Sequence, residues 1–295
     1  MRVRRSTSGA EFLQRAEACL LEHEVENNLP LGIANQLRLY PERVQLPPYL
    51  AVVEDGERAG AAVAAAVMTP PARLVLAVTE SREALGALAA DVQTFYMPLL
   101  GVTGPVPLGE WFAGAWQALT GEAARQSMAE RIYQLTRVLP PAGVPGAGRR
   151  AGRGDRELLI DWFAAFELEA FGSLAGDIML RVDSFMEMST RGVFLWEDGG
   201  RPVSMAGFGG YTPHGARVGP VYTPLDLRGH GYGSAITAHL SQNLLDSGRQ
   251  FCCLYTNLAN PTSNHIYQTI GYVPVCDVAE LTFISAVSSP KGSPQ

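Results

Sequence analysis

The residues with the clearest potential for chemistry lie in one glycine-dense segment. Glycines stand at three alternate positions, Gly229, Gly231 and Gly233, and Arg228 directly precedes them. Glycine lets the backbone approach a ligand closely, because it has no side chain and tolerates backbone angles that other residues avoid. A strand-like apolar stretch precedes the segment and an amphipathic helix pattern follows it. A helix start offers unpaired N–H groups and a positive dipole, and Arg228 adds a permanent charge, so the pattern predicts a phosphate-binding site.

The spacing excludes two common phosphate-binding motifs. A P-loop requires Gly-Lys-Ser/Thr, which the segment lacks, and a dinucleotide fingerprint requires G-x-G-x-x-G, whereas this segment has G-x-G-x-G. The match is instead to R-x-x-G-x-G, formed by Arg228, Gly231 and Gly233. In this motif the chain resembles the GNAT superfamily of N-acetyltransferases, in which the motif wraps the pyrophosphate of coenzyme A. A glycine-rich turn without a ligand is the alternative, and the register of strand, arginine and helix argues against it.

A second matching block follows downstream. The family pattern N-x-x-A/S-x-x-x-Y-x-x-x-G-F/Y falls, in order, on Asn260, Ser263, Tyr267, Gly271 and Tyr272. Each position also has a purely structural explanation. Asn260 before a proline suits a helix N-cap, Gly271 suits a helix end, and Tyr267 could be an amphipathic core residue. The ordered set favours function.

The resemblance implies an acetyl-CoA site and a mechanism. The strand at 218–223 would splay from its neighbour at 251–255, and the pantetheine arm would pair with backbone groups in the gap. The backbone N–H of Val221 would polarise the thioester carbonyl, and Tyr267 would serve as the acid for the departing thiolate. The residues that the resemblance assigns to the coenzyme are Val221, Tyr222, Thr223, Arg228, Gly229, His230, Gly231, Tyr232, Gly233, Ser234, Asn260 and Ser263.

The general base is left open. The available side chains are Glu167, Glu169, Glu187, Glu197 and His214. A glutamate on an exposed element is more often a solvated charge than a base. His214 in a Pro-His-Gly turn and His230 within the glycine loop are better explained as surface residues.

The elements that must position these residues fall into two related halves. Residues 68–79 and 211–223 share a Thr-Pro turn followed by a strand, in the same order, which indicates an old duplication. The segment 140–154 is rich in Pro, Gly and Arg and predicts a linker or mobile loop. We therefore predict a GNAT-like domain at 1–139, a linker at 140–154, a catalytic GNAT domain at 155–288 and a disordered tail at 289–295.

Each half is predicted to be an α/β (α+β) domain with a twisted mixed sheet flanked by helices. Hydrophobic periodicity predicts helices at 11–29, 82–91, 111–119, 155–170 with Asp155 as N-cap, and 178–190. A further helix is predicted from the glycine turn to near Gly248, and another from Pro261 to just before Gly271. Strands are predicted at 49–53, 60–68, 73–78, 192–196, 202–211, 216–222 and 251–255. In the first half, Glu80 stands where phosphate would lie and no glycines follow, so this half is predicted to have lost coenzyme binding.

Composition excludes several functional classes. The net charge is −6 with 47% hydrophobic residues, so electrostatics favours neither nucleic acid nor anionic lipid as a partner. The apolar stretch at 59–68 is too short to span a membrane, and the basic start has no apolar segment typical of a secretory signal. The four cysteines form no C-x-x-C pair and complete no zinc site, which predicts reduced thiols, no metal and a cytoplasmic protein.

The combined interpretation is an acetyl-CoA-dependent N-acetyltransferase in which a primary amine, expected on a small molecule, attacks directly. A non-catalytic acyl-CoA sensor or scaffold is the alternative from another class. Protein acetylation is a third possibility, since the sequence neither indicates nor excludes a peptide groove. The acceptor and the oligomeric state are not determined by these patterns.

Overall fold

The structure, a computed structural model, describes residues 1–44, 46–56, 61–174 and 176–284. The chain forms two compact units. Unit 1 contains residues 1–131 and the C-terminal segment from residue 276, and unit 2 contains residues 132–275. The predicted tail at 289–295 lies outside the described residues, as do residues 285–288 of the predicted catalytic domain.

Unit 1 is a mixed sheet with four helices. Its helices are α1 (Gly9–Leu21), α2 (Asn28–Leu39), α3 (Arg82–Phe95) and α4 (Leu108–Thr120). Its first strands are β1 (Arg2–Arg5), β2 (Tyr49–Glu54), β3 (Ala62–Met68), β4 (Leu74–Leu76) and β5 (Gly101–Pro105). Neighbours in the order β1-β2-β3-β4-β5 are antiparallel except for the parallel pair β4–β5.

The strands β2, β3 and β4 of unit 1 are apolar on both faces because helices cover each face of the sheet. In β2, Tyr49, Ala51 and Val53 pack in one cluster with residues of α3 and α4. The intervening Leu50 and Val52 pack in a second cluster with residues of α1 and α2. Successive side chains of a strand point to opposite faces, so a sheet covered on both sides requires nearly continuous apolar runs.

Unit 2 repeats this architecture. Its helices are α5 (Arg156–Phe171), α6 (Ile178–Glu187), α7 (Tyr232–Asp246) and α8 (Pro261–Thr269). Its strands are β7 (Ala147–Arg150), β8 (Gly192–Asp198), β9 (Arg201–Gly209), β10 (Gly215–Tyr222) and β11 (Phe251–Asn257). One cluster joins the sheet to α5 and α6, and another joins it to α7 and α8.

The element order supports the predicted internal duplication. Both units follow the order strand, two helices, three strands, helix, strand, helix. The two segments matched in the sequence, 68–79 and 211–223, both include the turn that leads into the third strand of that triplet. The relation between the halves therefore extends over whole elements.

The unit boundaries differ from those expected from the sequence. Two strands, β6 (Ala123–Leu135) and β12 (Val273–Ile284), contribute residues to both units. The distal part of β12 pairs antiparallel with β5, from Val278↔Pro105 to Thr282↔Gly101. β12 thus extends the sheet of the first unit, and no local sequence signal marks a strand pairing of such long range.

The segment predicted as a linker at 140–154 contains an ordered strand. Residues 147–150 form β7, which pairs antiparallel with β8. The glycines of this segment allow close packing: a Cβ on Gly148 would collide with the ring of His239, and one on Gly146 would collide with the carbonyl of Glu197. The prediction of a linker rested on the low apolar content of this segment. That criterion fails here because its glycines allow the backbone to pack closely against neighbouring elements.

The single helix predicted at 11–29 is two helices. The side chains of Asn27 and Asn28 bond to backbone groups of the turn between them: Nδ2 of Asn27 donates to the carbonyl of Leu20, and Nδ2 of Asn28 to that of Val25. Asparagine competes with helical bonding in this way, which explains the interruption.

Asp155 does not cap the helix that follows it. Its carboxylate accepts from the backbone N–H of Gly152 at 2.7 Å and from the guanidinium of Arg149 at 2.7 and 2.8 Å. No side-chain bond caps α5. The predicted helix start is nearly correct, but Asp155 serves the turn before it.

Two helical glycines of unit 1 are predicted to respond oppositely to substitution by alanine. A Cβ on Gly9 would collide with the carbonyl of Ala34 and lie 2.7 Å from the amide nitrogen of Arg38, so Gly9→Ala should destabilise the protein by about 1–3 kcal/mol. Gly86 in α3 has no atom within 4 Å of an added Cβ, so Gly86→Ala should stabilise it by about 0.5–1 kcal/mol. Urea denaturation measures both, and equal effects would contradict the proposed close contact between α1 and α2.

Candidate active site

The sheet of unit 2 opens between two parallel strands. β10 and β11 pair from Gly215↔Phe251 to Arg217↔Cys253. Within the described residues this register is not continued, although β10 extends to Tyr222 and β11 to Asn257. The splay expected from the sequence is therefore present. Strands that separate in this way can pair with a ligand that carries amide groups, as the edge of a sheet can.

A bulge in β10 accompanies the opening. The register of β10 with β9 shifts between Val218↔Phe208 and Val221↔Ala206, so that Gly219 and Pro220 form an irregularity. A bulge bends the strand and redirects its N–H groups. Beyond it, Val221 and Tyr222 direct their N–H groups to opposite edges, because successive residues of a strand alternate in this respect. One of the two therefore offers its N–H to the β11 side.

The glycine loop leads to a helix start that no side chain caps. Gly229 and Gly231 have φ values of 84° and 81°, a conformation that favours glycine. α7 begins at Tyr232 and makes no side-chain cap hydrogen bond. An added Cβ on Gly233 would meet only Thr223 Oγ1, at 3.4 Å. The loop thus presents open backbone before a helix N-terminus, an arrangement that suits an anion.

Gly231 also makes a close contact that the sequence did not indicate. An added Cβ there would lie 2.9 Å from Cγ2 of Val144. Val144 belongs to the segment that precedes β7, and the next residue, Pro145, accepts a hydrogen bond from the indole of Trp196 at 2.8 Å. The segment predicted as a linker therefore packs against the glycine loop.

The guanidinium of Arg228 is held by the protein. Its Nε donates to the carbonyl of Thr223 at 2.9 Å, and Nη2 donates to the carboxylate of Glu169 at 2.6 Å. The ring of Tyr222 lies 5.9 Å from the guanidinium carbon. The hydrogen bond with Glu169 raises the pKa of Arg228. Glu169, which the sequence indicated only as one of several candidate bases, holds the side chain of Arg228. No sequence pattern indicated this role, because the two residues are far apart in the chain.

His230 and Tyr232 stack beside the loop. Their ring centroids are 5.5 Å apart with an angle of 15° between the planes. The hydroxyl of Tyr232 donates to Asp198 at 2.6 Å, and this bond raises the pKa of Tyr232. His230 is exposed, in agreement with its interpretation as a surface residue. The side chain of Tyr232 is buried, so a role for this residue in binding falls to its backbone amide together with that of Ser234.

The start of α8 has the predicted capping geometry. The side chain of Asn260 accepts from the N–H of Ser263 at 3.0 Å, and Pro261 occupies the first turn. Gly271 follows the helix with φ 107°, and an added Cβ would lie 2.6 Å from the carbonyl of Arg137. The structural explanations of Asn260 and Gly271 thus hold, while the assignment of Asn260 and Ser263 to the coenzyme stays a prediction.

Tyr267 is a core residue of unit 2. It is 9% exposed, and its ring centroid lies 6.0 Å from that of Tyr272 in an edge-on arrangement. The Tyr272 hydroxyl is itself 2.8 Å from Oγ of Ser241. Burial raises the pKa of Tyr267 to about 12. The phenol therefore keeps its proton at neutral pH, as a hydrogen-bond donor must.

Three of the candidate bases form ion pairs. Glu167 is buried and pairs with Arg181, and Glu169 pairs with Arg228. Glu197 pairs with Arg149, while Glu187 and His214 are exposed. The geometry singles out none of the five as a base.

The corresponding helix start in unit 1 is closed. Ser81 caps α3 by accepting from the N–H of Ala84 at 3.1 Å, and its own N–H donates to Thr79 Oγ1 at 3.1 Å. At the start of α3, side chains of the protein accept hydrogen bonds from backbone N–H groups. At the start of α7, no side chain makes such a cap. This contrast fits the prediction that the first half has lost coenzyme binding.

The described part of the chain contains neither a helix that could span a membrane nor a cluster of metal ligands. None of its helices has both the length and the apolar character needed to cross a bilayer. No group of three or more His, Cys, Asp or Glu side chains in that part could hold a metal ion.

Comparisons with known proteins agree with this architecture. Residues 202–278 match the family model described as FR47-like protein. No curated protein matches the chain. A solved Drosophila protein is similar with a TM-score of 0.68 at 10% identity, covering 96% of this chain and 98% of that chain. A tandem GNAT protein from the clavulanic acid biosynthesis pathway has a TM-score of 0.58 at 14% identity, covering 98% and 99%.

A third solved structure, a GCN5-related N-acetyltransferase from Sphaerobacter thermophilus, has a TM-score of 0.58 at 15% identity and covers 96% of this chain and 95% of that chain. At identities this low, the structural matches establish the fold and nothing further. Together, the fold matches show a GNAT-type fold with two units in tandem, and the family model matches residues 202–278 within it.

The buried phenol gives a pH prediction. Because burial raises the pKa of Tyr267 to about 12, its phenol should stay protonated up to about pH 11, where an ordinary tyrosine is about nine-tenths ionised. Ultraviolet titration of wild type and Tyr267→Phe should therefore show equal tyrosinate absorbance up to that pH. The folded state holds this proton more tightly than the unfolded state, so stability should fall as the pH rises from about 10 towards 12, and less so in the variant. An extra phenolate in wild type near pH 10 would contradict the assignment.

Proposed function

We propose that the protein is an acetyl-CoA-dependent N-acetyltransferase that acts on a primary amine of a small molecule, with its active site in unit 2. One observation carries the proposal. The N-terminus of α7 lacks a side-chain cap, follows two glycines with positive φ, and stands where β10 ends beside the opening to β11. An anion site is thereby joined to an open strand edge, and a coenzyme with a diphosphate and an amide-containing arm requires both.

The residues present fit this coenzyme. The backbone from Gly229 to Ser234 would hold the diphosphate, and Arg228 would add its charge at the rim. Backbone groups of Val221, Tyr222 and Thr223 would hold the pantetheine arm in the gap. Asn260 and Ser263 would flank it from the start of α8. When bound, the coenzyme supplies an activated acetyl thioester.

The chain's own groups would orient and stabilise this thioester. The N–H of Val221 is the proposed donor to its carbonyl oxygen, and such a donor typically contributes about 10²–10³ in rate. Tyr267 keeps its proton on Oη because burial raises its pKa to about 12, so it can donate a hydrogen bond to a group that gains negative charge. The base that takes the ammonium proton stays unassigned.

A non-catalytic acyl-CoA-binding protein is the second candidate. The side chain of Tyr267 is 9% exposed and packs in the core. A protein that binds acyl-CoA without catalysing a reaction is equally compatible with a tyrosine in this position. Thiol release from acetyl-CoA in the presence of an amine library separates the two functions, since a sensor would bind the coenzyme and release no thiol.

Substitution of Gly233 tests the diphosphate site. Gly233 is the second residue of α7, where aspartate favours helix formation and an added Cβ has space. Gly233→Asp should therefore preserve or raise stability, yet weaken coenzyme A binding by roughly 100-fold, because its carboxylate would face the diphosphate. Isothermal titration calorimetry measures the affinity. Gly233→Ala is the matched control for the added Cβ alone, and an Asp variant that binds like this control would remove the basis of the proposal.

Removal of the Tyr267 hydroxyl tests the proposed acid. Tyr267→Phe keeps the ring packing, so folding and coenzyme A affinity should stay near wild type. The turnover number should fall by about 10²-fold or more, because the thiolate loses its hydrogen-bond donor. Steady-state kinetics with a reactive amine measures this effect. An unchanged turnover number would assign Tyr267 to the core alone.

A further inference from the structure

The exposed apolar surface of unit 2 is concentrated in one place. Nine large apolar side chains of unit 2 are exposed in the described part of the chain, and five of them fall within thirteen residues of sequence. These five, between 49% and 62% exposed, are Leu168, Phe171, Leu174, Met179 and Leu180. Single exposed apolar residues need no explanation, whereas a cluster indicates a binding surface.

These five residues lie at the tip of one helical hairpin. α5 and α6 pack side by side, with Phe163 against Phe185 at 5.2 Å between ring centroids and Glu167 bonded to Arg181. The pairing runs antiparallel, because residues later in α5 contact residues earlier in α6. Leu168 and Leu180, each next to the Glu167–Arg181 pair, therefore stand at the same level, and the other three residues follow towards the tip. We call these five side chains the apolar tip.

The apolar tip adjoins the proposed active site. Glu169, which follows Leu168 in α5, bonds to Arg228 of the glycine loop at 2.6 Å. Lower in the same helix, Trp162 lies 6.2 Å from Tyr222 at the end of β10. Two further exposed leucines, Leu225 and Leu258, follow the ends of β10 and β11, the edge at which the two strands separate. Seven of the nine exposed apolar side chains thus belong to this hairpin or to the segments that follow β10 and β11.

The charged groups of the hairpin that neighbour the apolar tip are engaged with other groups of the protein. Glu167 pairs with Arg181, and Glu169 with Arg228. Asp177 accepts from the N–H groups of Met179 and Leu180 at 2.8 and 3.2 Å, so it caps α6. A molecule that contacts the apolar tip therefore meets mainly hydrocarbon.

The size of the apolar tip favours a small molecule over a second copy of the chain. Five half-exposed side chains present roughly 500 Å². A stable protein interface needs about 800 Å² on each partner.

We propose that the acetyl acceptor is an amine with an apolar alkyl or aryl group, which the apolar tip binds while the amine reaches the opening between β10 and β11. This inference rests on the proposed function and adds the chemical class of the acceptor. A buried methylene contributes about 0.8 kcal/mol, so affinity and kcat/KM should rise about two- to fourfold with each added methylene of a linear amine.

The test uses linear alkylamines from ethylamine to octylamine. Calorimetry measures their binding to the full chain saturated with coenzyme A, and thiol release from acetyl-CoA measures kcat/KM. Wild type should show the rise with chain length in both. In the double variant Leu168→Gln/Leu180→Gln, octylamine should lose about tenfold in affinity and kcat/KM, with ethylamine unchanged. Glutamine keeps the length and helix propensity of leucine, so α5 and α6 should persist.

The control replaces an exposed apolar residue outside the apolar tip. Val273, at the start of β12, is 57% exposed, and Val273→Thr should leave the chain-length dependence intact. Coenzyme A affinity should be the same in all three proteins, which separates the acceptor surface from the coenzyme site.

Three outcomes would overturn the inference. One is binding and turnover that do not depend on alkyl length in wild type. Another is equal loss in the Val273→Thr control. The third is a wild-type dimer that becomes a monomer in the double variant by sedimentation, because the apolar tip would then be an interface between copies. Failure of the proposed function has a different signature, namely absence of coenzyme A binding or of thiol release with every amine. In that case, calorimetry of the alkylamines with the coenzyme-free chain still tests whether the apolar tip binds them.

Discussion

The loss of pairing between β10 and β11 is the constraint on which the rest of unit 2 depends. The two strands are held together only from Gly215↔Phe251 to Arg217↔Cys253, and the bulge at Gly219 and Pro220 turns the remainder of β10. Leaving backbone groups of a central strand unpaired is costly in a buried sheet. A ligand that supplies its own amide groups would offset this cost, and the glycine loop and the uncapped start of α7 follow β10 in the chain.

The two units show how one architecture can keep or close such a site. In unit 1, β4 and β5 are parallel neighbours like β10 and β11, and α3 occupies the place of α7 in the element order. Ser81 satisfies a backbone donor at the start of α3, whereas the start of α7 has glycines before it and no side-chain cap. A single capping serine, which stabilises a helix by about 1 kcal/mol, also removes donors that an anion would need. Helix stability and anion binding thus compete for the same N–H groups.

Several charged side chains serve the site by holding other residues in place. Glu169 orients Arg228, and Asp198 receives the hydroxyl of Tyr232, which stacks on His230. The ion pair of Glu169 with Arg228, at a partly exposed position, contributes little to stability on its own. The effect of these charged side chains is geometric, because they restrict side chains that border the glycine loop. The pairing of Glu169 with Arg228 also links α5, which carries part of the apolar tip, to the loop proposed to hold the diphosphate.

The sequence by itself determined the local features of this protein. The strand, glycine loop and helix around residue 230, the cap formed by Asn260 and the end of α8 at Gly271 all depend on neighbours within a few residues, and periodicity and capping rules read such contacts directly. The repeated Thr-Pro turn even disclosed the relation between the halves. Only the tertiary structure decided that β12 returns to pair with β5, that residues 147–150 form a strand, that Glu169 holds Arg228 and that Tyr267 is buried. These outcomes arise from pairings across large sequence separations, whose energies depend on which groups the whole fold brings together, so no local pattern encodes them.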